Sequence, residues 1–183
     1  MGDNGTAGDI VSENDSIADT NQLNTNGTQN ESSDDVEVSL DLEALEIELN
    51  HSRVSSMAVL SILTKTECLG LRNNTIKTIE GINQLLGLRE LELYDNQITR
   101  IENLDALVNL EVLDLSFNRI RKIENLENLV NLKKLFLINN KISKIENLSQ
   151  LANLELLELG SNRIRVIENL ENLVNLKSLF VGK

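Results

Sequence analysis

The chain repeats itself every 22 residues, and five asparagines keep the register: Asn74, Asn96, Asn118, Asn140 and Asn162. Around each lies the frame LxxLxLxxNxIxxIENLxxLxN. It is most complete as LEVLDLSFNRIRKIENLENLVN (Leu110–Asn131) and LELLELGSNRIRVIENLENLVN (Leu154–Asn175). A fixed short period restricts the fold more than any single residue does. Such a unit holds one short strand and a return segment, too few residues to bury their own apolar face. Each unit must lie against its neighbours, so the core grows along one axis.

This asparagine-punctuated pattern is that of a leucine-rich repeat. Regular units run Thr66–Gly87, Leu88–Asn109, Leu110–Asn131, Leu132–Asn153 and Leu154–Asn175, and a sixth starts at Leu176. Upstream, Ala44–Lys65 is a degenerate copy: Ile47, Leu49, Val54, Met57, Leu60 and Leu63 take the apolar positions, and Ser52 replaces the asparagine. The domain plan is a disordered acidic segment 1–35, an amino-terminal capping repeat 36–65, and repeats over 66–183, five complete and the sixth truncated. The expected fold is an α/β-class leucine-rich-repeat solenoid. It is a curved horseshoe with one parallel strand per repeat on the concave face and a 3₁₀ or irregular convex face. The LxL alternation turns both leucines inward and the residue between them outward. The asparagine amide ends the strand by satisfying backbone groups that a buried turn leaves unpaired. With no proline and a short return, one 3₁₀ turn is expected there rather than an α-helix. The asparagine ladder Asn74, Asn96, Asn118, Asn140 and Asn162 is thus structural.

Charge is unevenly spread. Residues 1–52 carry 13 Asp and Glu and no Lys or Arg, whereas 53–183 set 16 acids against 17 bases. The formal charge of −12 therefore resides in the amino-terminal segment, and the near-neutral body offers no basic stripe for nucleic acid. Residues 1–35 are mostly small and polar, a composition that cannot offset its ordering entropy. Ser32 and Ser33 beside Asp34 and Asp35 are candidate phosphorylation sites, against a plain solvating spacer. No apolar run suits a signal peptide or a membrane span. MGDNGT fits an N-myristoylation pattern formally, but Asp3 follows the glycine and no basic cluster supplies a second membrane signal. A single cysteine, Cys68, excludes an internal disulfide and fits a reducing compartment, nucleus or cytoplasm.

An enzyme is not expected. His51 and Cys68 are the one histidine and the one cysteine, without zinc-type spacing, and no phosphate-cradling loop or nucleophile elbow occurs. No cofactor or metal is called for. The carboxylates of the IEN motif, Glu80, Glu102, Glu124, Glu146 and Glu168, form a convex-edge ladder, solvated or paired with neighbouring Arg and Lys.

Binding is favoured by where the variation sits. The outward residues of successive LxL strands are Gly70, Glu92, Asp114, Phe136, Glu158 and Phe180. The chain has four aromatics: Phe136 and Phe180 in that column, Tyr94 and Phe117 just past the strand at its rim. Aromatics among carboxylates on a concave sheet suit a protein interface. Phe117 has two readings, exposed at the rim or tucked under the next turn. The partner-binding set is Glu92, Asp114, Phe136, Glu158 and Phe180, with Tyr94 and Phe117 as rim contacts.

Four segments carry a closer resemblance: IELNHSRV (Ile47–Val54), LRELELYDNQITRIENL (Leu88–Leu104), LKKLFLINNKISKIENLSQL (Leu132–Leu151) and LELGSNRIRVIENL (Leu157–Leu170). Over 44–183 the chain resembles the leucine-rich-repeat regulatory subunits of type-1 serine/threonine protein phosphatase. The resemblance implies a concave face that grips the phosphatase catalytic subunit together with a small inhibitor protein, mainly in the nucleus, as a monomer within a hetero-complex. It implies contacts at Asp114, Phe136, Glu158 and Phe180. The short phosphatase-docking motif is absent: RVSS at Arg53 lacks its aromatic and KKLF at Lys133–Phe136 lacks the valine. Members of that family have more repeats and a carboxy-terminal cap, so a splice form, an incomplete gene model or a fragment is expected. The alternatives are another nuclear or ciliary scaffold, for RNA splicing or the axoneme, and a truncated product without a partner of its own.

Overall fold

The computed structural model describes residues 40–182. The acidic segment 1–35, with Ser32 and Ser33, lies outside the described residues, as do 36–39 of the capping repeat and Lys183. Seven three-residue strands are formed: β1 (Glu46–Glu48), β2 (Cys68–Gly70), β3 (Glu90–Glu92), β4 (Val112–Asp114), β5 (Lys134–Phe136), β6 (Leu156–Glu158) and β7 (Ser178–Phe180). They make one parallel sheet in sequence order. Every pair is in register at the repeat length, as in Leu91↔Leu113 and Leu113↔Leu135. The chain is a leucine-rich-repeat solenoid, as its period predicts. The ladder runs past the strands, with Leu93 N–H donating to Asp114 O at 2.7 Å and Phe117 N–H to Ile138 O at 2.7 Å.

The core is a set of stacked aliphatic columns. In the unit that starts at Leu88, the side chains of Leu88, Leu91, Leu93, Ile98, Ile101, Leu104 and Leu107 are completely buried. Each contributes about 1.5–3 kcal/mol relative to exposure. The degenerate first unit packs in the same way. Ile47, Leu49, Met57, Leu60 and Leu63 are buried. Its strand β1 pairs with β2.

Each repeated asparagine bonds two turns of the solenoid at once. Asn118 Oδ1 accepts the Ile98 N–H at 2.9 Å. Its Nδ2 faces three carbonyls, Leu93 O at 2.9 Å, Leu115 O at 3.1 Å and Ser116 O at 3.2 Å. Leu93 and Ile98 belong to the preceding unit, so the amide joins its own strand end to the turn before it. Asn74, Asn96, Asn140 and Asn162 make the same contacts. At the first unit, where Ser52 stands in the frame, the N–H groups of Ser52 and Val54 both donate to Asn74 Oδ1 at 3.1 and 2.9 Å.

The convex side contains no α-helix among the described residues. One 3₁₀ helix, Ala58–Ile62, occurs in the first unit. The regular units instead use two successive i→i+3 turns across LxxLxxL: Leu107 N–H to Leu104 O at 2.9 Å, then Leu110 N–H to Leu107 O at 3.0 Å. Two further asparagine ladders hold this return. Asn103, Asn125, Asn147 and Asn169 of the IEN motif take positive φ of 58–60°. Their Nδ2 groups donate back to Ile79, Ile101, Ile123 and Ile145 carbonyls at 2.6–2.7 Å. Asn109, Asn131, Asn153 and Asn175 reach back to Leu86, Val108, Val130 and Ala152 carbonyls at 2.9 Å. Asparagine tolerates the left-handed region, which explains its use in the first of these ladders. At the head of that ladder stands Gly81, φ +70°, where a Cβ would lie 2.4 Å from Met57 O. The 3₁₀ turn of the first unit passes too close for a side chain.

Before the strands runs a ladder of alternating charge: Glu67, Arg89, Glu111, Lys133, Glu155, Lys177. Glu111 is held by Arg89 at 2.7 Å and by Lys133 at 2.5 Å, and Lys177 lies 2.8 Å from Glu155. Their cations hold the Glu111 and Glu155 carboxyls below the usual range, chiefly through hydrogen bonds from Lys133 and Lys177. These pairs are exposed and weak singly. Their sign alternation nevertheless disfavours a stack slipped by one repeat. Because both pKa values are depressed, the pairing holds above the unfolded carboxylate pKa of about 4 and is lost as pH falls through the folded values.

At the carboxy-terminal end the apolar columns are uncovered. Ile167 is 62% exposed, although Ile145, its column neighbour one unit earlier, is completely buried. Three outcomes are expected of this fold. Asn118→Ala should lower stability by about 3 kcal/mol or more in urea unfolding, because it orphans buried backbone groups in two turns. Asn131→Ala, which loses one exposed bond to Val108 O, should cost less than about 1 kcal/mol. Among the described residues of the 183-residue chain, amide exchange should be fastest across 154–182 and slowest across 88–153, since the last unit buries one face only.

Candidate functional site: a column across the sheet face

Parallel in-register strands turn a sequence period into a spatial row. Glu92 is the direct partner of Asp114, Asp114 of Phe136, Phe136 of Glu158, and Glu158 of Phe180. Neighbours in such a row stand about 4.8 Å apart, the strand spacing. Residues separated by 22 positions in the chain therefore form one continuous stripe from β3 to β7. Each stripe residue lies between two inward aliphatics, and the pleat points it away from the core. Phe180 is 54% exposed, while Glu92, Asp114, Phe136 and Glu158 are half-buried by their neighbours. The stripe extends amino-terminally through Gly70 to Glu48.

Two rows flank it. The row on the amino-terminal side of the strands holds Glu46, Cys68, Glu90, Val112, Lys134, Leu156 and Ser178. Together the rows concentrate carboxylates over β1–β4. Burial, then the nearby Glu92, pushes the Glu90 carboxyl above its usual range. Asp114 is pushed up by burial as well, opposed by the Ser116 backbone N–H that donates to its Oδ1 at 2.9 Å. Arg72 binds Glu92 in an ion pair, and that hydrogen bond raises its guanidinium pKa. Burial and four carboxylates, Glu90, Glu46, Glu67 and Glu48, raise the Cys68 thiol. A thiol kept protonated in this way is a poor nucleophile. His51 is exposed on the other rim with φ +56°.

Tyr94 and Phe117, from adjacent units, meet at the strand ends with ring centroids 4.8 Å apart and planes tilted by 46°. Phe117 is 38% exposed, so it does not tuck under the next turn as core. The IEN carboxylates are half-buried on the return side. Glu124 pairs with Arg100 at 3.2 Å and Glu80 accepts from the Ser56 hydroxyl at 2.7 Å. Sequence reasoning missed the acidic flank at Glu46, Glu48 and Glu90, and it missed the Arg72–Glu92 pair. The signal was available: reading the columns beside the LxL residue at the same step exposes both. Among the described residues no His, Cys, Asp and Glu group is arranged to hold a metal ion, and no helix is long and apolar enough to cross a membrane.

The sequence pattern and the stacked sheet agree with what known proteins resemble. A family of paired leucine-rich repeats matches residues 108–150. Protein phosphatase 1 regulatory subunit 7 of Xenopus tropicalis is 54% identical over 53 residues, which is 29% of this chain and 15% of that protein. An internalin from Listeria monocytogenes superposes with a TM-score of 0.65 at 31% identity, over 69% of this chain and 38% of the internalin. A leucine-rich-repeat protein of Leptospira interrogans does so with a TM-score of 0.55 at 25% identity, over 68% of this chain and 39% of its own. The chain thus spans well under half the length of these relatives. It is a leucine-rich-repeat protein, related by sequence over part of its length to a regulatory subunit of protein phosphatase 1.

Proposed function

We propose that this chain is a non-catalytic binding scaffold whose concave sheet face holds the catalytic subunit of type-1 serine/threonine protein phosphatase. The observation that carries the reading is the stripe Glu92–Asp114–Phe136–Glu158–Phe180. It sets acids and aromatics on one face of adjacent strands. Beneath β3–β6 the core is complete without it, since the columns there are aliphatic and closed. Glu92 pairs with Arg72 and Asp114 accepts the Ser116 N–H, and the placement of these acids in one row with an exposed phenylalanine suits recognition. The partial identity to a phosphatase regulatory subunit supports this choice of partner class. A small inhibitor protein joins the complex, and the nucleus is its proposed location, with a cytoplasmic pool. Recognition is spread over several strands, because the short linear docking motif is missing from the sequence.

Two measurements test this. Phe136→Ala with Glu158→Ala should weaken binding of the purified phosphatase catalytic subunit about thirtyfold, since a truncated interface aromatic typically costs about 2 kcal/mol. The circular dichroism spectrum should not change. Unaltered affinity in calorimetry would place the interface elsewhere. Asp114→Asn should separate stability from binding. The folded pKa of Asp114 is raised by burial. Its charge therefore opposes folding above the folded pKa, and the penalty vanishes below the unfolded value near about 4. The variant keeps an oxygen for the Ser116 N–H. It should melt higher than the parent at pH 7, with the gain fading towards pH ~3, and it should bind the phosphatase less tightly.

A further inference from the structure

We infer that the Tyr94–Phe117 pair is a receptor for a cationic side chain, arginine or lysine, presented by the protein bound on this face. The inference rests on the binding reading above and adds the chemistry of one contact.

The first argument is the mismatch between residue and backbone at Phe117. Successive units place His51, Asn73, Asp95, Phe117, Asn139 and Ser161 at the same point of the turn, all with φ between 52° and 56°. Asn and Asp enter this region readily, whereas a bulky side chain there is an outlier. A phenylalanine in the left-handed region costs on the order of 1–3 kcal/mol. Core packing does not repay that cost, because the ring stays 38% exposed. The backbone here suits Asn or Asp, and the ring lies against Tyr94 at the strand ends, not in the aliphatic core.

The second argument is electrostatic. Aromatic faces attract cations, and carboxylates beside them strengthen that preference. Asp95 follows Tyr94 on the same turn. Glu92 and Asp114 precede the two aromatics on adjacent strands. Arg72, one unit earlier in the column of Tyr94, is already paired with Glu92. Asp95 and Asp114 have no ion-pair partner among the described residues. The Asp95 carboxylate accepts from the Asn73 amide at 2.8 Å. An anion or a second acidic surface would be repelled, and a neutral apolar group would leave these carboxylates desolvated and unpaired. A cation satisfies rings and carboxylates together.

Tyr94 is the single tyrosine and the chain has no tryptophan, so its ring reports the site directly. The whole 183-residue chain is titrated with an Arg-Gly-Arg-Gly-Arg peptide and with the same peptide carrying citrulline. Expected are shifts of the Tyr94 ring resonances with the arginine peptide only, abolished by Phe117→Asn. Phe117→Asn and, separately, Tyr94→Leu should each weaken binding of the phosphatase catalytic subunit about tenfold. Phe117→Asn should raise the melting temperature, because Asn suits the backbone. Tyr94 resonances unmoved by the arginine peptide, or moved equally by citrulline, would overturn the inference. Wild-type phosphatase affinity in both variants, with the Phe136→Ala and Glu158→Ala double variant still defective, would overturn it and leave the scaffold reading standing. Full binding by that double variant would remove the scaffold reading, and the peptide titration would still decide the cation site.

Discussion

The structure depends on one side-chain amide used five times. A solenoid with a 22-residue turn has to reverse direction inside its own apolar wall, where water cannot reach the backbone. The amide of Asn118 supplies an acceptor to Ile98 N–H and donors to carbonyls of its own unit and the one before. No other side chain of that size offers both functions at one planar group. Because the bonds cross between units, the ladder couples each turn to its predecessor and transmits register along the stack. The two convex ladders of Asn103–Asn169 and Asn109–Asn175 repeat the device where the chain returns. Gly81 shows its limit: where the first unit passes too close, the side chain has to vanish.

With register secured this way, the sheet face is free of folding duty. The aliphatic columns beneath β3–β6 are closed, so substitutions in the outward rows there alter the surface without opening the core. The chain uses that freedom against its own stability. Asp114 and Glu90 are pushed towards protonation by burial. Phe117 occupies a backbone region that suits asparagine, and the Ser116 hydroxyl is left without a partner. These four departures gather over β3 and β4, whereas the return side has local rules obeyed at almost every position. Elsewhere His51, Arg53 and Ser161 also take the left-handed region, but over β3 and β4 it coincides with buried carboxylates and an aromatic ring.

Much of this was open to reading from residues alone. The period, the asparagine ladder and the LxL alternation determine the unit, its stacking, the inward and outward faces, and hence the stripe from Glu92 to Phe180. They do so because in-register parallel stacking maps residues 22 apart onto neighbours, a purely geometric consequence of the repeat. Even the alternating charge of Glu67, Arg89, Glu111, Lys133, Glu155 and Lys177 is visible as a column, once the columns beside the leucines are read.

The tertiary structure alone decided matters of angle and burial. A frame of letters cannot say that the return becomes two i→i+3 turns in the regular units and a 3₁₀ helix only at Ala58–Ile62, since both satisfy the same leucine spacing. Nor can it place Phe117: tucked or exposed depends on a φ of +55°, which directs the ring onto Tyr94 rather than into the wall. The raised carboxyls of Glu90 and Asp114 depend on desolvation by neighbouring strands, a property of the assembled face. Periodicity therefore specifies which residues share a row, because spacing survives projection onto a line. How deep each lies and what it touches belongs to three dimensions.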